Sequence, residues 1–232
     1  MNESKHESAM PLLHRAAIEG DLIEVRRLLD MKGGMIAQEL NDEFEYPLYS
    51  ALFLSAAHSE ALKTVKEAIF RELLTYSFSV LTHQNGFGDT VLHRIVRNGF
   101  ENLIDDVLAL KEGAGLLFIK NKIGSYPIHV AILNGRIEIV KKLLLQQGIA
   151  EQLDSEGNSA LHLAAGFGSL DMVQLCLEHC RKEMNARNSQ DKTPLDLAVV
   201  NNLPEAQTFL TNNGAIRNPD SEWGSTYVSS YF

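Results

Sequence analysis

DSEGNSALHLAAGFGSLDMVQLCL, running from Asp154 to Leu177, decides the fold. Ser159 stands where a side-chain oxygen caps the first free N–H groups of a helix. Leu161, Leu163 and the small residues Ala164 and Ala165 follow, and Gly168 closes the run. Leu170 to Leu177 then open a second amphipathic helix. Two such short helices cannot bury their apolar faces against each other alone, so neighbours of the same kind are required.

Five further segments supply them. PLLHRAAIEG begins at Pro11, YPLYSALFLS at Tyr46, TVLHRIVRNG at Thr90, YPIHVAILNG at Tyr126 and TPLDLAVVNN at Thr193, alongside SALHLAAGFG at Ser159. One column holds His14, Tyr49, His93, His129, His162 and Asp196, at spacings of 35, 44, 36, 33 and 34 residues. Thr90, Ser159 and Thr193 are N-cap residues in this register, and Pro47, Pro127 and Pro194 occupy the first helical position, which tolerates proline. Small residues such as Ala16 and Ala17 let adjacent units approach, and Gly20, Gly99, Gly135 and Gly168 are read as left-handed helix ends. Second helices carry apolar residues at helical spacing, as in Ile137, Val140, Leu143 and Leu144. An all-α solenoid of about six helix-turn-helix units follows.

The period and the T-P-L-H-x-A pattern resemble the ankyrin-repeat family. The resemblance covers roughly Met10 to Ala215, with units near 10–40, 41–84, 85–120, 121–153, 154–187 and 188–215 joined by short hairpin loops. Residues 1–9 are read as an N-terminal extension and 216–232 as a C-terminal tail. The resemblance implies that the column histidines hydrogen-bond between neighbouring units, with Tyr49 and Asp196 as polar substitutes.

Three stretches depart from the pattern. The second unit carries about ten extra residues, and Glu60 to Tyr76 reads as one helix with Leu62, Val65, Ile69, Leu73 and Leu74 on its buried stripe. It is either a drifted unit that stacks normally or one whose extra length near Ser55 to Ser59 reaches a partner. Met31 to Glu45 reads as a lengthened hairpin loop. The tail holds the sole tryptophan, Trp223, with Tyr227, Tyr231 and Phe232, and three roles stand open: a cap on the last unit, a linear motif of the kind PDZ domains take, or a delivery signal.

Chemistry is sparse. Cys176, His179 and Cys180 have helical spacing that could gather soft metal ligands, but Cys176 aligns with buried leucines of other units and there is no fourth ligand. Neighbouring His179 and Cys180 point in different directions on a helix, which argues against a catalytic dyad. The sequence contains no P-loop and no H-E-x-x-H, and the glycine pairs at Gly86–Gly88 and Gly113–Gly115 fit hairpin connections. No enzyme activity, cofactor or metal is expected.

Binding remains. The resemblance implies a concave face built of hairpin tips and first helices, whose variable columns here hold Ile18, Glu19, Arg97, Asn98, Leu133, Asn134, Gly166, Phe167, Val200 and Asn201. The tips add Asn121, Lys122, Ser155, Glu156, Gln190 and Lys192, and Phe167, an aromatic between two glycines, is the expected anchor. With 21 Lys+Arg against 30 Asp+Glu and a net charge of -9, nucleic acid is disfavoured as a partner, and no run is long enough to insert into a membrane. The sequence predicts a monomeric, noncatalytic protein-binding module. Two cysteines in 232 residues fit a reducing compartment, and the cytoplasm is the expected location. The alternative is a bacterial effector delivered into a host cytosol, because compact ankyrin proteins of intracellular bacteria have this look.

Overall fold

The computed structural model describes residues 11–32, 37, 46–53, 59–76 and 80–220. Most of the Met31–Glu45 connection, the extra residues 55–58 and the aromatic tail residues from Trp223 onward lie outside them. Among the described residues there are twelve α-helices and no strand. They fall into two compact units, residues 1–116 and 117–232.

In the first unit α1 (Leu12–Glu19), α3 (Pro47–Ala51) and α5 (Val91–Asn98) are first helices. Their second helices are α2 (Leu22–Lys32), α4 (Glu60–Leu74) and α6 (Glu101–Leu108). α1 packs on α2 and α3, α3 on α4 and α5, α2 on α4, and α5 on α6. In the second unit α7 (Pro127–Leu133), α9 (Ala160–Phe167) and α11 (Pro194–Val200) form the first-helix layer. α8 (Ile137–Leu144), α10 (Leu170–His179) and α12 (Pro204–Asn212) form the other layer. α9 lies between α7 and α11, α10 between α8 and α12, and each first helix also packs on its own second helix.

Helices of seven or eight residues are too short to hold in water by themselves, so caps and burial must hold them. Both are present. The Thr193 hydroxyl accepts from the Asp196 N–H at 3.2 Å and the Ser159 hydroxyl from the His162 N–H at 3.4 Å. The column residue answers in kind: Thr90, Tyr126 and Ser159 N–H groups donate to Nδ1 of His93, His129 and His162 at 3.2, 3.3 and 3.2 Å. Thr193 N–H donates to Asp196 Oδ2 at 3.0 Å. Leu161, Leu163, Leu197, Val140 and Leu143 are fully buried, each contributing on the order of 1.5–3 kcal/mol through the water it sheds.

One reading of a glycine and one of a helix face need correction. Gly20, Gly99 and Gly135 take the left-handed conformation, but Gly168 is extended at φ -88°. Its requirement is space: a Cβ there would sit 2.7 Å from the Ala164 carbonyl oxygen. α4 ends at Leu74, and its buried face is Lys66, Glu67, Ile69, Phe70, Leu73 and Leu74, with Leu62 and Val65 only half-buried. The face is rotated because two charged residues have partners inside. Lys66 Nζ donates to the Ile18 and Ala17 carbonyls at 2.7 and 3.3 Å, and both Glu67 carboxylate oxygens accept from Asn102 Nδ2 at 3.1 Å. The contacts of α3 and α4 are those of a unit that stacks with its neighbours.

Candidate functional site

Four hairpins among the described residues are each closed by one side chain. Asn85 Oδ1 accepts from the Phe87 and Asp89 N–H groups at 3.0 Å, Asn121 Oδ1 from Ser125 at 3.0 Å, and Asp154 Oδ1 from Glu156 and Asn158 at 2.8 and 2.9 Å. Asn188 Oδ1 accepts from Gln190 and Lys192 at 3.0 Å. Burial raises the Asp154 carboxyl above its usual range against the pull of these bonds. This column, five residues before each N-cap, went unread in the sequence although Asn or Asp recurs there with the repeat period. In the second unit the hairpins bond in a row: Ser155 Oγ to Ile123 O at 2.8 Å, Ser189 N to Glu156 O at 2.9 Å, and Asn188 Nδ2 to Asn158 Oδ1 at 2.7 Å.

The tips therefore divide. Asn121 is committed to its hairpin and Lys192 is buried at 7% exposure, so neither is the exposed tip residue the sequence implied. Lys192 lies inside because its carbonyl oxygen accepts from His162 Nε2 at 3.1 Å, drawing its backbone against the neighbouring unit. Lys122, Ser155 and Gln190 are exposed. Phe87 at 72% exposure and Ile123 at 42% are apolar tip residues the sequence reading passed over, Phe87 because it lay inside a glycine pair.

At the first-helix ends, Glu19 and Asn134 are exposed, while Ile18, Arg97, Asn98, Leu133, Phe167, Val200 and Asn201 are half-buried. Several are held in place. Arg97 is paired with buried Asp89 at 2.8 Å, Asn98 Nδ2 donates to Leu52 O at 3.0 Å, and Asn134 Nδ2 donates to Val130 O at 2.8 Å. Gly166 is the one buried member, and a Cβ there would lie 3.3 Å from Asn201 Nδ2 and 3.4 Å from Leu197 Cβ. The glycine lets α9 and α11 close up beside Phe167. The second unit thus presents Leu133, Phe167 and Val200 from three packed helices, and the first presents Ile18 and Arg97.

The column histidines have no common point. His129 Nε2 donates to Gln152 O at 3.3 Å and His162 Nε2 to Lys192 O, while His14 Nδ1 meets Ser50 Oγ at 2.8 Å and the Tyr49 hydroxyl donates to His83 O. Burial holds His162 down to about 4, below its usual 6.5, so the neutral Nε2–H form is the resident one. Cys176 and Cys180 are both buried and His179 is exposed on the same helix. Burial drives the Cys176 thiol far up, and burial with the Glu183 charge pushes Cys180 up to about 12, so both thiols rest protonated. Among the described residues no group of three or more His, Cys, Asp or Glu side chains is placed to hold a metal ion.

The last unit ends differently. Asp196 Oδ1 accepts from Arg217 Nε at 3.0 Å and Oδ2 from the Asn218 N–H at 3.0 Å, while Asn218 Nδ2 donates to Asp191 O at 2.8 Å. Burial pushes the Asp196 carboxyl upward, but the bonds from Thr193, Asn218 and Arg217 outweigh it and leave the group below its usual range. Ile216, Arg217 and Asn218 dock on the last unit, three residues beyond the repeat end read from the sequence.

A family model described as ankyrin repeats in three copies matches residues 52–150 and 129–220. The chain belongs to the ankyrin-repeat family. It is 26% identical over 174 residues to the nuclear factor NF-kappa-B p105 subunit of Rattus norvegicus, a match covering 72% of this chain and 18% of that protein. Among solved structures, the ankyrin repeat domain of Bcl-3 matches with a TM-score of 0.69 and 25% identity, covering 88% of this chain and 86% of that one. A chain in the complex of the Bdellovibrio bacteriovorus endopeptidase Bd0816 with immunity protein Bd3460 matches with a TM-score of 0.70 at 19% identity, covering 87% and 97%, a likeness of fold alone. Among the described residues no ankyrin helix is long and apolar enough to cross a membrane.

Proposed function

We propose that the chain is a noncatalytic module that binds a protein partner on its first-helix ends and hairpin tips. One observation carries this. α7, α9 and α11 are buried along their length except at Leu133, Phe167, Val199 and Val200, and Phe167 stands beside the close α9–α11 contact that Gly166 permits. An aromatic on a rigid stack loses little freedom when a partner covers it. The similarity to the Bcl-3 ankyrin domain supports an interaction role. The net charge of -9 favours a partner bringing basic or apolar groups. Cytoplasmic location is part of the proposal and rests on two free, buried cysteines.

The experiment is affinity capture with mass spectrometry, using Phe167→Ala and Leu133→Ala variants whose folding is checked by circular dichroism. Each substitution is expected to weaken capture by about 1–3 kcal/mol, while Lys141→Ala and Lys142→Ala cost under about 0.5 kcal/mol. Loss of binding with the lysine variants and none with the apolar pair would move the surface to the second helices.

A further inference from the structure

The hairpins of the second unit carry a column of exposed side chains. Six places before the N-caps Tyr126, Ser159 and Thr193 stand Lys120, Leu153 and Arg187. Lys120 and Arg187 are exposed, and Leu153 between them is 45% exposed. Lys120 Nζ lies 5.0 Å from the centroid of the Tyr126 ring, which sets this cation over an aromatic at the start of α7.

The local charge is opposite to that of the whole chain. Across the hairpins spanning 119–126, 152–159 and 186–193, the exposed cations are Lys120, Lys122 and Arg187, and the one exposed carboxylate is Asp191. Asp191 is paired with Arg187 at 3.2 Å, but side-chain exposures of 60% and 47% leave that pair weak. A carboxylate from outside can therefore take the guanidinium fork. The row is positive although the chain carries a net charge of -9.

Spacing selects the shape of what fits. The hairpins are tied in a row by Ser155 Oγ to Ile123 O at 2.8 Å and by Ser189 N to Glu156 O at 2.9 Å. The helices they lead into pack as neighbours, α7 on α9 and α9 on α11. Packed helices stand about 8–10 Å apart. A polyproline II segment has three residues per turn and rises about 9 Å per turn, so residues i, i+3 and i+6 share one face at that interval. A β-strand puts i and i+3 on opposite faces, and an α-helix climbs only about 4.5 Å in three residues.

We propose that Lys120, Leu153 and Arg187 form a docking row for an extended acidic segment of a protein partner. Carboxylates at i and i+6 meet the two cations, and an apolar side chain at i+3 covers Leu153. Single-stranded nucleic acid fits less well, because it needs an aromatic platform where the row has leucine. The row lies at the starts of the first helices, roughly 10 Å along their axes from Leu133 and Phe167. It rests on the reading of the chain as a protein-binding module and adds the chemistry of the partner.

The test is an NMR titration of the full chain with the blocked peptide Glu-Pro-Ala-Leu-Pro-Ala-Glu, against a peptide of the same composition with its two glutamates adjacent. The first peptide is expected to shift the amides of Lys120, Leu153 and Arg187 and to bind more tightly than the second. Lys120→Glu and Arg187→Glu should each weaken it at least about fivefold, Asp191→Asn should strengthen it about twofold by freeing Arg187, and Lys141→Ala should change nothing. Equal binding of the two peptides, indifference to Lys120→Glu, or tighter binding of a thymidine oligonucleotide at the same amides would overturn the proposal. Failure of the module reading looks different: partner capture then survives Phe167→Ala and Leu133→Ala whichever peptide binds, whereas capture that needs both residues with no peptide binding removes the row alone.

Discussion

Lys66 is a charged residue buried in the core at 0% exposure. Its ammonium donates to two carbonyls at the end of α1, and burial lowers its pKa from 10.5 to about 8. The negative end of the α1 dipole favours the cation there. Between pH 8 and 10.5 the unfolded chain keeps a proton that the folded chain has released, so stability rises with pH across that window. Urea unfolding should show a contribution of up to about 1.4 kcal/mol per pH unit that disappears in Lys66→Met. An unchanged slope in that variant would mean that another group supplies it. Cys180 is a second polar-capable residue held inside: it is buried at 2% exposure, one turn after Cys176. Both Cys176→Ala and Cys180→Ala should therefore cost about 1–2 kcal/mol in lost packing, measured by thermal melts.

At the scale of elements, α3 is the weak one. It has five residues, its N-cap Tyr46 makes no side-chain capping bond, and the second helix it pairs with, α4, is fifteen residues long. α9 and α11 have capping boxes and flank each other closely. Amides of α3 should exchange faster than those of α9, and uniform protection from Tyr46 to Ala165 would refute a soft second unit. The helices themselves were legible because N-cap, proline and small-residue positions recur in one register, and local rules agree with the fold there. The rotated face of α4 was not legible. Hydrophobic periodicity assigns lysine and glutamate to solvent, and only the distant partners Ile18 and Asn102 reverse that assignment. Lys192 was misplaced for a related reason: side-chain charge says nothing about which backbone carbonyl a neighbouring imidazole will claim. The first-helix ends could be named from the pattern alone, since a column free of stacking duties varies, but their pinning by Asp89 and Leu52 could not.

At the scale of the whole molecule, His162 contributes a response to acid. In His162, Nδ1 accepts from Ser159 and Nε2 donates to Lys192 O, so protonation destroys the acceptor. The unfolded chain takes up a proton near 6.5 and the folded chain resists until about 4, hence stability is full above 6.5 and falls as pH drops through that window. Denaturation midpoints between pH 7 and 4 should decline, with a shallower decline in His162→Gln.

The same bond has a direction. His129 and His162 each hand a proton donor toward the C-terminal side, and Asp196 instead receives donors from Arg217 and Asn218. A tandem duplication of residues 154–187 inserted between existing units would find matching donors and acceptors on both sides. The same copy appended after the last unit would meet a carboxylate facing a carbonyl, so this stack is built to lengthen from within and not at that end.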